Sequence, residues 1–134
     1  MKELEPGAET TAEHIVTEDD LASALSVVDV FPPVFATARM VALMEVAASR
    51  AMLPVLEEGE LSVGVSVDVT HSAATPLGST VRTTAKFIGV EGKLWVFEVM
   101  AEDEGGEIGR GIHRRAIVHT DRLLAGAARR TGRA

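Results

Sequence analysis

Residues 34–53 read VFATARMVALMEVAASRAML, the one long stretch of the chain in which strong helix formers dominate and glycine is absent. Nearly every position in it is apolar, so a helix here has to be covered rather than left on a surface. Pro54 marks its end. After residue 60 the period changes to two. In LSVGVSVDVTHS (61–72), Val63, Val65, Val67 and Val69 point one way, and Ser62, Gly64, Ser66, Asp68 and Thr70 point the other. Three more strands follow: STVRTTAKFIGV, KLWVFEVMAEDE and EIGRGIHRRAIVHT. The turns between them fall at Thr75-Pro76-Leu77-Gly78, Glu91-Gly92-Lys93 and Gly105-Gly106. Ahead of the helix, Thr10–Val16 is a possible first strand. Thr17, followed by Glu18, Asp19 and Asp20, has the pattern of an N-cap with acids in the first turn of a short helix reaching Leu25. Phe31-Pro32-Pro33 then interrupts regular structure.

One apolar helix followed by long antiparallel strands has an economical solution, a sheet wrapped around the helix. The expected class is therefore α+β, in the hot-dog arrangement. Residues 1–120 form a single domain in this reading, with 121–134 as a basic tail. A single helix leaves the sheet edges and part of the helix itself uncovered, which predicts a homodimer.

Twenty acids against thirteen Lys and Arg give a net charge of −7, distributed as −10 over residues 1–120 and +3 over 121–134. That balance argues against nucleic acid as a partner, since phosphate neutralisation needs clustered positive charge. The absence of cysteine excludes disulfides, Cys-ligated zinc and a thiol nucleophile. No apolar run has the length of a membrane span, and MKELEPGAET lacks the apolar core of a secretory signal, so a cytoplasmic location without membrane attachment is expected.

Three polar residues stand out. Glu45 is the only charge between Met40 and Ala48, with Val41, Ala42, Ala48 and Ser49 one turn away. It could be a partly exposed carboxylate paired with an arginine. On an otherwise apolar helix, however, a buried carboxylate is costly and normally has a polar partner or a task. Thr37 lies two turns earlier, where a first-turn or N-cap hydroxyl would be unremarkable. His71 ends the valine strand, where a lone histidine is more often structural than catalytic. A sheet curled around the helix can bring these three together as hydroxyl, carboxylate and imidazole. Other motifs are wanting. Gly64-Val-Ser66-Val-Asp68 lacks the second glycine of a nucleophile elbow, the glycines of IGRGIH precede no helix, and His113 and His119 match no common metal spacing. No metal site is expected.

Together, VFATARMVALMEVAASRAM, SVGVSVDVTHSAATPLGSTV and EIGRGIHRRAIV resemble the fluoroacetyl-CoA thioesterase family of hot-dog proteins across about residues 30 to 120. The shared pattern is a phenylalanine and a threonine at the helix start, a Met-Glu pair, a Gly-x-x-x-x-x-Thr-His strand, and Gly-x-His-x-Arg in the last strand. The resemblance implies that Thr37, Glu45 and His71 are catalytic: a hydroxyl, a base or nucleophilic carboxylate, and a proton donor. It also implies that the Gly64 amide lies near the thioester, that Arg115 is close to the site, and that Phe31 gates the acyl pocket. The sequence departs from the family at Ala38, where glycine is expected, and at Val46, where tryptophan is expected. The first thirty residues match poorly. The implied activity is hydrolysis of a short acyl-CoA at a subunit interface, with no cofactor beyond the coenzyme A of the substrate. The alternatives are a binding module that keeps the pocket without catalysis, or a hot-dog hydratase.

Overall fold

The computed structural model describes residues 3–133. Five strands and one long helix make up the body: β1 (Glu9–Ile15), α1 (Thr37–Met52), β2 (Glu60–His71), β3 (Thr80–Glu91), β4 (Leu94–Asp103) and β5 (Gly106–His119). All four neighbouring pairs are antiparallel, in the order β1-β3-β4-β5-β2. The two hairpins β3–β4 and β4–β5 sit where the sequence turns are, and β2 is not a third. Residues 72–79 carry the chain across to β3, and β2 pairs instead with β5, at an edge of the sheet.

The helix begins at Thr37, later than the apolar run suggests. Val34–Ala36 is drawn into extended contacts first: the Phe35 amide donates to the Thr75 carbonyl (2.9 Å), and Leu21 and Phe35 form an isolated bridge. Met40, Met44, Ala47, Ala48, Ala51 and Met52 are buried against the sheet, with Val81, Ala85, Phe97, Val99 and Ile108 beneath them. As expected for a sheet with a single helix, the opposite side of α1 is open in the single chain. Thr37, Ala38, Ala42 and Val46 are all exposed there.

Two sequence expectations change in detail. The short helix after Thr17 is two 3-10 turns, Glu18–Asp20 and Ala22–Ala24, parted at Leu21. Residues 121–134, read as a tail, are mostly helical: α2 (Thr120–Thr131) ends at Gly132, whose φ of 71° is the left-handed conformation of a helix C-terminus.

Asp20 is not a solvated dipole partner of its turn. It is 1% exposed and collects five hydrogen bonds. Thr17 donates from its amide (2.7 Å) and hydroxyl (2.8 Å), His14 from Nε2 (2.6 Å), and Arg39 from Nε (3.0 Å) and Nη2 (2.8 Å). One carboxylate thereby ties β1, the first 3-10 turn and the first turn of α1 together. Burial alone would raise its pKa, but the donors from Thr17, His14 and Arg39 outweigh that and hold it well below the ordinary 3.8. A depressed carboxyl pKa contributes stability that is present above the unfolded value and is lost as pH falls below it. Chemical denaturation of Asp20→Asn at neutral pH should show a loss of about 1.5–3 kcal/mol, the scale of hydrogen bonds to a charged group. The deficit should shrink below about pH 4, where unfolded carboxyl groups protonate. An unchanged midpoint at neutral pH would contradict this role.

Candidate active site

The interior-facing side of β2 is set by a bulge. Pairing with β5 runs Gly64↔Arg115 and then Ser66↔Arg114, leaving Val65 as the extra residue. Cross-strand partners share a face, so Gly64, Val67, Val69 and His71 line up with Arg115, His113, Gly111 and Gly109. The uniform alternation expected for Val63 to Val69 therefore does not hold. Its phase flips at Val65, and His71 is thereby delivered to the helix side of the sheet.

At the start of α1, the N-cap position is Ala36 and no side chain caps the helix. The Thr37 hydroxyl is engaged elsewhere, 2.7 Å from Nδ1 of His71. The two border a cleft of about 380 Å³ lined also by Pro32, Phe35, Ser72 and Ala73. Burial lowers the His71 pKa below the ordinary 6.5, with the Ala73 backbone acting in the opposite direction. Its Nε2 is buried and has no hydrogen-bond partner among the described residues.

Glu45 belongs to a second cluster. The eight residues separating it from Thr37 correspond to about 12 Å along the helix axis at 1.5 Å per residue. Within one chain the hydroxyl, carboxylate and imidazole thus do not meet as expected: the structure joins Thr37 to His71, and Glu45 to Gly64 and Arg115. Nη1 of Arg115 donates to Glu45 Oε1 at 3.4 Å, closing an ion pair between β5 and α1. The Glu45 side chain is 42% exposed and that of Arg115 only 7%. So the carboxylate is half-open rather than buried, and its partner is an arginine remote in sequence. Gly64 leaves room for the same contact: a Cβ there would overlap Glu45 Oε1, the end of a flexible side chain that would then have to move.

Arg115 is anchored further by donating from Nε to Ser62 Oγ (2.9 Å) and from Nη2 to the Ser62 carbonyl (2.9 Å). Burial lowers its pKa, and the Glu45 charge opposes that. His113, which matches no metal spacing, is 1% exposed and packs at 3.1 Å from Arg115 Nη1. A sequence signal for it existed: Gly111, His113 and Arg115 fall on alternate residues of one strand. Phe31 is 41% exposed and is not among the residues lining the Thr37–His71 cleft, although its neighbour Pro32 is.

A curled antiparallel sheet holding one central helix, with hydroxyl–imidazole and carboxylate–arginine pairs at the same helix, is a hot-dog domain of the thioesterase kind. The profile of the family described as "FlK: Fluoroacetyl-CoA-specific thioesterase" matches residues 16–121, and the chain belongs to that family. A fluoroacetyl-CoA thioesterase from Streptantibioticus cattleyicolor is 50% identical over 101 residues, 75% of this chain and 73% of that protein. A solved structure of the fluoroacetyl-CoA thioesterase FlK superposes with a TM-score of 0.90 at 40% identity, covering 96% of this chain and 98% of the other. A Thermus thermophilus hypothetical protein, described as a thioesterase superfamily member, also gives 0.90, at 32% identity over 99% and 97% of the two chains.

The lowered His71 pKa has a direct check. In an NMR titration of the wild type, the ring should change protonation below pH 6.5, so that folding stability drawn from the neutral ring is lost as pH falls through that range. A midpoint at or above 6.5 would contradict the burial described.

Proposed function

We propose that this protein is an acyl-CoA thioesterase that hydrolyses a short acyl-CoA to the free acid and coenzyme A, with Thr37, Glu45 and His71 as its catalytic residues. The observation that carries the reading is the Thr37–His71 hydrogen bond, which spends a helix-start hydroxyl on an imidazole instead of on the helix itself. Glu45 supplies the carboxylate, as base towards water or as nucleophile. As base it takes a proton from water as the water oxygen bonds to the thioester carbonyl carbon and the C–S bond breaks. As nucleophile its own oxygen bonds to that carbon as the C–S bond breaks, and water then hydrolyses the resulting anhydride to the acid and free Glu45. The neutral His71 ring donates from Nδ1 to Thr37 Oγ, which leaves the Thr37 hydroxyl proton and the Gly64 amide to stabilise the oxyanion. A proton taken up on His71 Nε2, from Glu45 in the base route or from solvent in the nucleophile route, passes to the departing thiolate. Arg115 fixes the carboxylate, and Phe31 closes over the acyl group. Every step is assigned to a side chain or backbone group of the chain, and coenzyme A enters with the substrate.

The separation along α1 supports a homodimer with composite sites. The open face of α1 adjoins β2, an edge strand carrying exposed Leu61, Val65 and Val67, while Val27, Val28 and Val30 are almost wholly solvent-accessible in one chain. A two-fold axis across that face sets the first half of one helix against the second half of the other. The Thr37–His71 pair of one protomer then faces Glu45 of the partner subunit.

Thiol release from a panel of short, branched, aromatic and halogenated acyl-CoAs tests the activity. Glu45→Gln should lower turnover about a hundredfold or more. Its stability should change by less than about 1 kcal/mol, since the carboxylate is half-exposed and the glutamine oxygen still offers Arg115 an acceptor. Binding without thiol release would favour a non-catalytic module, and turnover surviving in Glu45→Gln would remove Glu45 from the chemistry.

Composite sites make a separate prediction. Thr37→Ala and Glu45→Gln chains, each inactive alone, should regain about a quarter of wild-type activity when co-expressed. Half of the randomly assembled dimers are then mixed, and each mixed dimer carries one intact site. No recovery in a confirmed mixed dimer would place each site within one protomer.

A further inference from the structure

His113 offers a residue whose role follows from hydrogen-bond chemistry. Its Nδ1 lies 2.9 Å from the Ser66 carbonyl, which can only accept, so Nδ1 carries the proton and donates. Its Nε2 lies 3.1 Å from Arg115 Nη1, which can only donate, so Nε2 accepts. Both demands are met by one species, the neutral ring with its proton on Nδ1. A second proton on Nε2 would oppose two donors and two positive charges.

The arrangement begins at the bulge. The extra residue Val65 breaks the ladder between Gly64 and Ser66, and the Ser66 carbonyl accepts from the imidazole at this irregularity. The ring in turn holds Nη1 of Arg115, whose Nε and Nη2 are held by Ser62. At 3.4 Å the bond to Glu45 is the longest the guanidinium makes. Arg115 is therefore oriented by the protein, and Glu45 takes its place against an arginine already fixed. The charged groups facing the ring are Arg115 from β5 and Glu45 from α1. Burial comes first among the influences on the ring and favours its neutral form; the Arg115 charge adds to this, while the Ser66 carbonyl and Glu45 oppose it.

We propose that His113 is a positioning residue for the thioesterase reaction, setting the Arg115 guanidinium against Glu45 through its Nε2 acceptor. The proposal rests on Glu45 acting as the reactive carboxylate. Two replacements divide the ring's functions. His113→Asn can keep a donor near the Ser66 carbonyl but places no acceptor at Arg115, whereas His113→Gln can reach Arg115 with an amide oxygen. Turnover should fall about tenfold in His113→Asn, on the scale of one lost hydrogen bond, with KM within about twofold of wild type. His113→Gln should recover at least part of that loss at a similar melting temperature. In a Glu45→Gln background, His113→Asn should cost nothing further, because the group it positions is gone. If both variants lose turnover equally and in step with their melting temperatures, or if neither loses any, the positioning role is overturned.

A measurement on the wild type stands apart from any folding defect. ¹⁵N NMR of the histidine rings at about pH 6.5, the ordinary histidine midpoint, should show His113 neutral and protonated on Nδ1. A charged ring, or one protonated on Nε2, would overturn the proposal. Should Glu45→Gln retain turnover, the failure lies in the reading of Glu45. Should Glu45→Gln be inactive and His113→Asn fully active, only the role of His113 fails.

Discussion

The closeness with which β5 approaches both β2 and α1 is the constraint on which the rest of the molecule depends. A Cβ at Gly109 would come within 2.6 Å of the Thr70 carbonyl and 2.7 Å of Met40 Sδ, and one at Gly111 would meet the backbone of Asp68 and Val69. Alanine at either position would force the strand away from the helix or from its edge partner. With glycine at both, β2 and β5 can curl together over α1, and Met40 can seat against the sheet with no exposed surface. The alternate residues of the same strand, His113 and Arg115, then arrive beneath the helix at the level of Glu45. Curvature of the sheet and the electrostatics of the site come from one run of residues.

The bulge at Val65 is the second element of this geometry. Without it, His71 would fall on the other face of the sheet from Gly64, because side chains alternate and the interval between the two is odd. With it, one edge strand contributes a glycine beside the carboxylate and an imidazole beside the hydroxyl. The backbone carbonyl at the irregularity is taken up by His113, while the Ser66 hydroxyl beside it is buried without a hydrogen-bond partner among the described residues. A different device secures the helix entry. Asp20 anchors Arg39, two residues after Thr37, and the Ala36 amide donates to the Asp20 carbonyl at 2.9 Å, so the segment leading into α1 is clamped from both backbone and side chain.

Much of the framework was legible in the chain itself. A continuous apolar run of helix formers, then four segments of period two separated by Pro-Leu-Gly, Glu-Gly-Lys and Gly-Gly, leaves few arrangements other than a sheet around one helix. These signals are local, arising from propensity and alternation. Thr37, Glu45 and His71 were conspicuous for the same reason, as polar residues in apolar surroundings. The helical character of residues 120–131 is masked by the basic character of Arg122, Arg129 and Arg130, although Leu123-Leu124-Ala125 and Ala127-Ala128 are helix formers.

Other features depend on groups far apart in sequence and could not be read locally. Nothing in LSVGVSVDVTHS marks Val65 as the bulged residue, because its alternation is unbroken; the slip appears only when β5 is laid beside it. The arginine that meets Glu45 lies seventy residues away, while Arg39, close by in sequence, is committed to Asp20. Asp20 itself reads as one of three acids in a helical first turn, and its burial depends on His14 and Arg39 closing over it. The sequence by itself determined the long helix, the strands and which side chains are chemically out of place, because those follow from short-range periodicity and solvation. Tertiary structure decided which of them meet: Thr37 with His71, and Glu45 with Arg115 some 12 Å further along the helix. Pairing across a sheet is a property of register, and register is fixed only when the strands come together.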